Sequence, residues 1–244
     1  NLDEISPKQI RHVFLHLQQE GRSVAWMANI NTTVRRFGTW IGKPDLCPPL
    51  PDLVEVPSAA RRSLSARIAR AWDTTPEEFE AILTRVTPVC PMTAMHLRLA
   101  SLFGCRVQEM LMFRPARAIQ GDYIHLEEGT KGGRPRMVPI ETDEQREWLD
   151  VALALAEDDP KGRLIAEPGL TLRQAINHFY GVLRACGIDR KTSGVTAHGL
   201  RHSYACHIYK ELTGEKAPIM GGGKVDKDLD QSVRLDISRR LGHG

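Results

Sequence analysis

The sequence of 244 residues has no long hydrophobic run. A helix that crosses a membrane needs about 18 or more consecutive apolar residues, and no segment of this chain reaches that length. The first residues, NLDEISPKQ, also lack the apolar segment of a secretory signal peptide. These absences predict a cytoplasmic protein with no membrane partner.

Paired cysteines are absent as well. The five cysteines are widely scattered, with no CxxC pair and no spacing typical of a zinc site. Disulfide frameworks and zinc modules both require such patterns. We therefore expect reduced thiols and no metal site. The cysteines are Cys47, Cys90, Cys105, Cys186 and Cys206.

The chain also lacks a strong excess of charge, because its formal net charge is only +3. A total this small permits a nucleic-acid partner without requiring one, so the local distribution matters more. Residues 58–72 contain four arginines and no acidic residue, and two further arginines adjoin each other on a predicted helix. We predict that these side chains contact DNA phosphates; the alternative for each is a solvated surface arginine. They are Arg35, Arg36, Arg61, Arg62, Arg67 and Arg70.

The N-terminal part of the chain has the pattern of a small helical domain. Ser6-Pro7 and Ser23 are typical helix starts, and apolar residues recur after each at helical spacing. Five prolines between positions 43 and 57 then predict an extended linker. We assign residues 1–52 to a first domain and residues 53–244 to a second.

The second domain is predicted to be mainly α with one small antiparallel β-sheet. The pattern of residues 123–126 and 137–140 predicts two strands of a hairpin around a turn at 129–133. Helices are predicted to begin near Thr75, Met92, Val107, Thr142, Thr171, Thr196 and Leu229. The segment 214–228, which contains three consecutive glycines, is predicted to be a mobile loop that the fold does not need.

The densest group of chemically capable residues is His198-Gly199-Leu200-Arg201-His202. On a helix, positions three apart face the same side, so His198 and Arg201 are predicted to share one surface. A guanidinium donates two parallel hydrogen bonds to a phosphate, and a neighbouring imidazole transfers or shares a proton. The alternative is a surface arginine beside a half-buried histidine.

Three more segments contain candidates, each with a simpler alternative. Arg106 precedes Glu109 by three positions, which by itself indicates a weak intrahelical ion pair. Lys131 lies in the glycine-rich turn, where a solvated lysine is the simple reading. His243 follows Leu241-Gly242 and would mean little alone.

Together these segments resemble the motifs of the tyrosine recombinase (phage integrase) family, in order and in context. The matching segments are GCRVQE at 104–109, GTKGGRPRMVP at 129–139, HGLRHSYA at 198–205 and LGH at 241–243. The N-terminal 52 residues resemble the later part of the family's helical core-binding domain. The resemblance therefore covers the whole chain and implies a catalytic domain preceded by a core-binding fragment, in the subgroup of integrases from mobile elements.

The resemblance implies a site-specific DNA recombinase that cuts and rejoins strands through a 3′-phosphotyrosyl intermediate, without any cofactor. Catalytic roles would fall to Arg106, Lys131, His198, Arg201 and His243, with Glu109 and His202 in support. Arg134 and Arg136 of the hairpin would join the DNA-contacting arginines. The implied partners are double-stranded DNA and further copies of the chain, in a tetramer associated with a bacterial nucleoid.

Two departures from the family's pattern stand out. The interval between Arg201 and His243 is unusually long, which indicates an insertion around 221–227. The family's nucleophilic tyrosine would fall beyond Gly244, and none of Tyr123, Tyr180, Tyr204 or Tyr209 matches it by position. We therefore expect both domains to be incomplete, the first at its N-terminus and the second at its C-terminus.

Three alternatives remain open. A non-catalytic DNA-binding relative would have the same fold, although it would have no reason to keep all five site residues. A type IB topoisomerase would share the chemistry, but the LGH segment and the core-binding fragment favour a recombinase. A helical protein-interaction domain would have to match all the motifs by accident.

Overall fold

The computed structural model describes residues 4–55, 69–72 and 74–243. The chain divides into two compact units, Asn1–Ala66 and Arg67–Gly244. Among the described residues, no helix combines the length and hydropathy that a membrane crossing requires.

The first unit contains two helices, α1 (Pro7–Gln19) and α2 (Val24–Trp40), followed by short 3-10 turns at Pro44–Leu46 and Leu50–Leu53. Both predicted helix starts are confirmed: Ser6 forms a capping box with Gln9, and the Ser23 side chain caps α2. A small core lies between the helices and the turns. It contains Phe14, Met27, Cys47, Leu50, Leu53 and Val54.

The prediction of an extended linker from residue 43 is wrong for 44–54. Leu46, Leu50 and Leu53 are buried there, and the amide of Asn31 donates a 2.8 Å hydrogen bond to the carbonyl of Pro48. The prolines thus form compact turns that complete the core of the first unit. Leu53 belongs to that core, although the sequence assigned it to the second domain.

The second unit contains eight helices within its described residues and one small sheet. They are α3 (Pro76–Val86), α4 (Pro91–Phe103), α5 (Val107–Leu111), α6 (Pro115–Ala118), α7 (Asp143–Ala156), α8 (Leu172–Ala185), α9 (Ala197–Thr213) and α10 (Lys227–Arg240). The sheet has the order β1 (Ile119–Gln120), β2 (Tyr123–Leu126), β3 (Arg136–Pro139), with antiparallel neighbours. The predicted hairpin is confirmed, and β1 is an additional strand.

Local capping explains where several of these helices begin. Thr75, Thr142 and Thr171 each form a capping box with the Glu or Gln three positions later, which satisfies backbone donors that a helix start otherwise leaves free. Helix α4 is the central element and packs against α3, α7, α8 and α9. Its buried position explains why its sequence is apolar almost all round.

The segment after α9 is anchored, contrary to the prediction of a dispensable loop. Ala217 is buried with Tyr209 and Val233, and Met220 and Val225 pack against them. The Tyr209 hydroxyl also donates to Asp230 at 2.6 Å and so joins α9 to α10. The segment therefore contributes a small core of its own to the second unit.

Candidate active site

The four motif segments of the second unit meet where α4 and α10 end and where α5 and α9 begin. Gly104 ends α4 with φ +58°, a conformation that a residue with a Cβ adopts only at a cost. A Cβ at this position would lie 2.6 Å from Cδ1 of Tyr204 and 3.0 Å from Cδ2 of Leu241. Only glycine fits here, and it turns its carbonyl towards the arginines described next.

Arg106 occupies the N-cap of α5 and folds back onto Glu109. Its backbone N–H donates to Oε2 of Glu109 at 2.7 Å, and its Nη1 donates to Oε1 at 2.6 Å. Nη2 donates to the carbonyl of Leu241 at 3.2 Å. The predicted ion pair is present, but it is far from a weak surface pair, because the side chain of Glu109 is fully buried.

Glu109 is the single carboxylate at the centre of three guanidinium groups. It also accepts hydrogen bonds from Arg136, and the nearest nitrogen of Arg201 lies 3.9 Å away. Burial by itself raises the pKa of Glu109, but the hydrogen bonds and charge of Arg136, with the hydrogen bonds of Arg106, lower it overall. Glu109 is therefore ionised at neutral pH, and three positive charges against one negative charge leave the cluster at +2.

Arg201 is buried on the first turns of α9. Its Nη1 donates to the Gly104 carbonyl at 2.6 Å, and its Nη2 donates to the Leu241 carbonyl. Nη2 also lies 3.4 Å from Nε2 of His243. Burial, together with the like charges of Arg136 and Arg106, lowers the pKa of Arg201 to about 10, so that the group stays charged at neutral pH.

Three histidines border this cluster. The rings of His198 and His202 are perpendicular, with centroids 5.0 Å apart, and the His243 backbone N–H donates to Ser238 at 2.8 Å. Burial and the surrounding positive charges lower the pKa of all three rings. All three are consequently neutral near pH 7 and able to accept a proton. Arg70 is among the charges that act on His198 and His202.

Lys131 lies on the exposed 3-10 turn Lys131–Gly133 between β2 and β3, and its charge is among those that lower the pKa of His243. Within the described part of the chain, no hydrogen bond or ion pair holds its ammonium group. The start of the same turn is fixed, because a Cβ on Gly129 would lie 2.5 Å from the backbone of Gln108. The hairpin is thus seated on α5, with Lys131 exposed at its tip.

Arg136 corrects a prediction, because the structure buries this residue instead of exposing it to DNA. Its side chain is 2% exposed and its guanidinium is fully engaged within the protein. The signal was present in the sequence: side chains alternate between the faces of a strand, and Arg136 lies two and four positions before the apolar Val138 and Ile140. All three are buried, whereas Met137 is exposed.

Trp72 is a site-supporting residue that the sequence did not single out. Its indole Nε1 donates to the Thr196 carbonyl at 2.8 Å, and its backbone N–H donates to Oγ of Ser203 at 2.8 Å. A Cβ on Gly199 would lie 2.6 Å from the indole. Trp72 therefore fixes the first turns of α9, which carry His198 and Arg201. The glycine at position 199 is the feature of the sequence that reflects this contact.

The other arginines predicted to contact DNA divide into two groups. Four are exposed: Arg35 and Arg36 on α2 of the first unit, and Arg70 and Arg134 in the second unit. The remaining three, Arg61, Arg62 and Arg67, lie outside the described residues.

None of the four tyrosines is poised to attack a group bound at the cluster. Tyr204 is buried, and the hydroxyl of Tyr209 is bonded to Asp230. Tyr123 pairs with Gln120 and Pro139 in the sheet, and Tyr180 packs edge-on against Phe179.

The structure brings no group of three metal-binding side chains together among the residues that it describes. The chemistry available at the site is that of cationic hydrogen-bond donors beside neutral histidines. Such a constellation suits an anion, and in particular a phosphate whose charge grows during reaction.

The chain is similar to proteins of the integrase family. The sequence model of the integrase family matches residues 63–207, whereas no curated protein matches the chain. The fold is similar to that of a lambda integrase tetramer bound to a Holliday junction, with a TM-score of 0.58 and 20% identity over 99% of this chain and 65% of that chain. The chain thus spans less than two thirds of the length of that protein.

A second similar structure is the Tn1549 transposon integrase in complex with transposon right end DNA. The TM-score is 0.60, with 13% identity over 100% of this chain and 79% of that chain. A lambda integrase dimer bound to a COC′ core site is also similar, with a TM-score of 0.58 and 20% identity over 94% and 65% of the two chains. At these identities the likeness is one of fold.

Proposed function

The chain belongs to the tyrosine recombinase (integrase) family, and we propose that it takes part in site-specific cutting and rejoining of duplex DNA through a 3′-phosphotyrosyl intermediate. The observation that carries this proposal is the buried cluster of Arg106, Arg136 and Arg201 around Glu109, with its surplus of positive charge. A preorganised cationic pocket of this kind stabilises the charge that develops on a phosphate during transfer.

In the proposed reaction, the cluster binds the non-bridging oxygens of the scissile phosphate. Arg106 is partly exposed. Arg201 lies next to His243 and has N–H donors beyond those that the two carbonyls occupy. Because these groups are held before the DNA arrives, they need not reorganise during the reaction. Preorganised electrostatic stabilisation of this kind is usually the largest single contribution to the rate acceleration at such a site.

Proton transfer would involve the side chains around the cluster. A tyrosine oxygen bonds to phosphorus, the bond from phosphorus to the 5′ oxygen breaks, and the leaving oxygen takes a proton from Lys131. His198 accepts the proton of the attacking tyrosine, which its lowered pKa permits because the ring is neutral. His243 donates a hydrogen bond to a phosphate oxygen, and rejoining reverses these steps. The scheme balances without a cofactor.

The remaining assignments concern partners and location. Exposed arginines in both units, Arg35 and Arg36 in one and Arg70 and Arg134 in the other, would contact DNA phosphates. The lambda integrase structure is a tetramer on a Holliday junction, and we extend that assembly and a DNA-associated location in a bacterial cell to this protein. Since none of the four tyrosines is poised to attack, the nucleophile would come from protein outside residues 1–244.

The test is cleavage of a nicked duplex that carries the natural recombination site. The assay uses a protein that includes both residues 1–244 and the nucleophilic tyrosine. A covalent protein–DNA band that resists denaturant, and that Arg201→Met reduces by about 10²–10³-fold, is the expected result. Binding without any covalent product would instead support a non-catalytic DNA-binding relative. Relaxation of supercoiled DNA lacking the site would support a topoisomerase.

A further inference from the structure

Arg136 makes four hydrogen bonds that reach three separate parts of the site. Its Nε and Nη2 donate to Oε1 and Oε2 of Glu109 at 3.3 and 2.7 Å. Nη2 also donates to the Gly104 carbonyl at 3.2 Å, and Nη1 donates to the carbonyl of Arg240. One side chain on β3 therefore contacts the end of α4, the first turn of α5 and the end of α10.

The packing around Arg136 is as close as its hydrogen bonding. A Cβ on Gly242 would lie 2.9 Å from Cδ of Arg136, so the chain passes directly over the arginine stem just before His243. Arg136 also lies on the strand that follows the Lys131 turn. The segment just before His243 thus packs on the strand that follows the Lys131 turn.

The charges show what Arg136 does for its neighbours. A carboxylate has about four acceptor positions, and at Glu109 two are filled by Arg136 and two by Arg106. Arg201 therefore remains 3.9 Å from Glu109 without a hydrogen bond to it. Glu109, the carboxylate of the cluster, therefore does not neutralise the positive charge of Arg201.

We propose that Arg136 is a positioning residue, which saturates Glu109 so that Arg201 keeps its charge and its orientation for a phosphate. This inference rests on the proposed function and deepens it. Without Arg136, two acceptor positions of a fully buried carboxylate become vacant. Arg201, 3.9 Å away, is the nearest cation that does not already donate to Glu109, and it would turn towards Glu109 and away from the ligand.

The experiment measures binding of inorganic phosphate to residues 1–244 by calorimetry, well below the melting temperature, in the wild type and in Arg136→Met. We expect phosphate to bind the variant at least tenfold more weakly. Arg146→Met is the matched control, because Arg146 is exposed on α7, is paired with Asp122 and has no role in the proposed site. Its phosphate affinity should stay within about twofold of the wild type, since screening keeps distant exposed charges weak.

Phosphate affinity separates positioning from mere stabilisation, because loss of a structural contact lowers the melting temperature and leaves the affinity of the folded protein unchanged. Arg136→Lys provides a second variant if Arg136→Met does not fold. A lysine keeps the charge but cannot make two parallel bonds, so we expect at least a threefold loss. Wild-type affinity in either folded variant overturns the inference alone, whereas a wild type that binds no phosphate overturns the proposed function with it.

Discussion

Arg201 donates a 2.6 Å hydrogen bond to the backbone carbonyl of Gly104, a residue 97 positions earlier in the chain. The same carbonyl accepts from Arg136, and Leu241 offers its own carbonyl to Arg106 and Arg201. Two helix ends thus hold the arginines that the proposed reaction needs. Carbonyl oxygens orient a guanidinium without neutralising it, and this distinguishes them from a second carboxylate.

Replacement of Gly104 by alanine should damage both the fold and the site. The left-handed backbone and the contact of a new Cβ with the Tyr204 ring should together lower the free energy of unfolding by about 2–5 kcal/mol. Gly121→Ala is the control: its φ of +59° is almost the same, but nothing lies within 4 Å of its Cβ position. Denaturant unfolding should show a loss of only about 1–2 kcal/mol there. Equal losses in the two variants would contradict the packing argument.

Binding of residues 1–244 to duplex DNA should depend strongly on salt. Each phosphate that the protein neutralises contributes a slope of about −0.9 to the plot of log affinity against log salt. The double variant Arg35→Ala, Arg36→Ala should weaken binding to all sequences and make this slope shallower. Arg146→Ala is a suitable control, because that arginine is already paired with Asp122. A flat salt response in an anisotropy titration would exclude a phosphate-dominated interface.

Lys131 should act in chemistry and hardly at all in DNA binding. In the protein with its nucleophile, Lys131→Ala should slow cleavage by about 10²–10⁴-fold, as expected for loss of a general acid, with nearly unchanged DNA affinity. A substrate with sulfur in the 5′ bridging position has a leaving group that needs no proton, and should restore the rate. Arg201→Ala, measured in parallel, should not be restored. If the sulfur substrate does not restore the cleavage rate of Lys131→Ala, Lys131 is not the general acid.

His96 should make the fold sensitive to acid. This buried histidine has its Nε2 2.9 Å from the Leu164 carbonyl, so Nε2 carries the proton of the neutral ring. Burial lowers the pKa of His96 to about 4, below the ordinary value of about 6.5. A lowered pKa gives stability that is present above pH 6.5 and is lost as the pH falls towards 4. Linkage puts this loss at about 3 kcal/mol.

The measurement for His96 is denaturant unfolding at several pH values, in the wild type and in His96→Leu. The difference between the two proteins cancels the titration of other groups. The variant should be less stable near pH 7.5, with the gap closing by pH 4. A constant difference across this range would show that His96 binds protons equally in the folded and unfolded chains, so that folding does not lower its pKa.

Residues 1–244 should bind DNA and form no covalent complex with it. The attacking oxygen must lie in line with the leaving oxygen, about 3–3.5 Å from phosphorus, whereas Tyr204 is buried and Tyr209 is bonded to Asp230. A nicked substrate provides the assay. A denaturant-resistant band that disappears in Tyr204→Phe or Tyr209→Phe would place the nucleophile within these residues.

Much of the architecture was predictable from the sequence, because the signals are local. The capping boxes at Thr75, Thr142 and Thr171 depend on residues three positions apart, and the hairpin depends on alternation over a few residues. The motif segments were likewise recognisable in order. What these patterns could not decide was whether a given side chain is exposed, since exposure depends on neighbours that are distant in the chain.

The tertiary structure alone decided the roles of several residues. By its sequence position in an arginine-rich hairpin, Arg136 was predicted to contact DNA. In the structure the ends of α4 and α10 enclose it together with Glu109. Trp72 supports α9 across more than a hundred positions of sequence, and the glycine-rich segment after α9 is anchored by Tyr209 and Val233. The sequence by itself determined which residues have side chains that are able to bind a phosphate. Long-range packing determined which of them are buried together, because a buried charge is stable only where distant groups supply its partners.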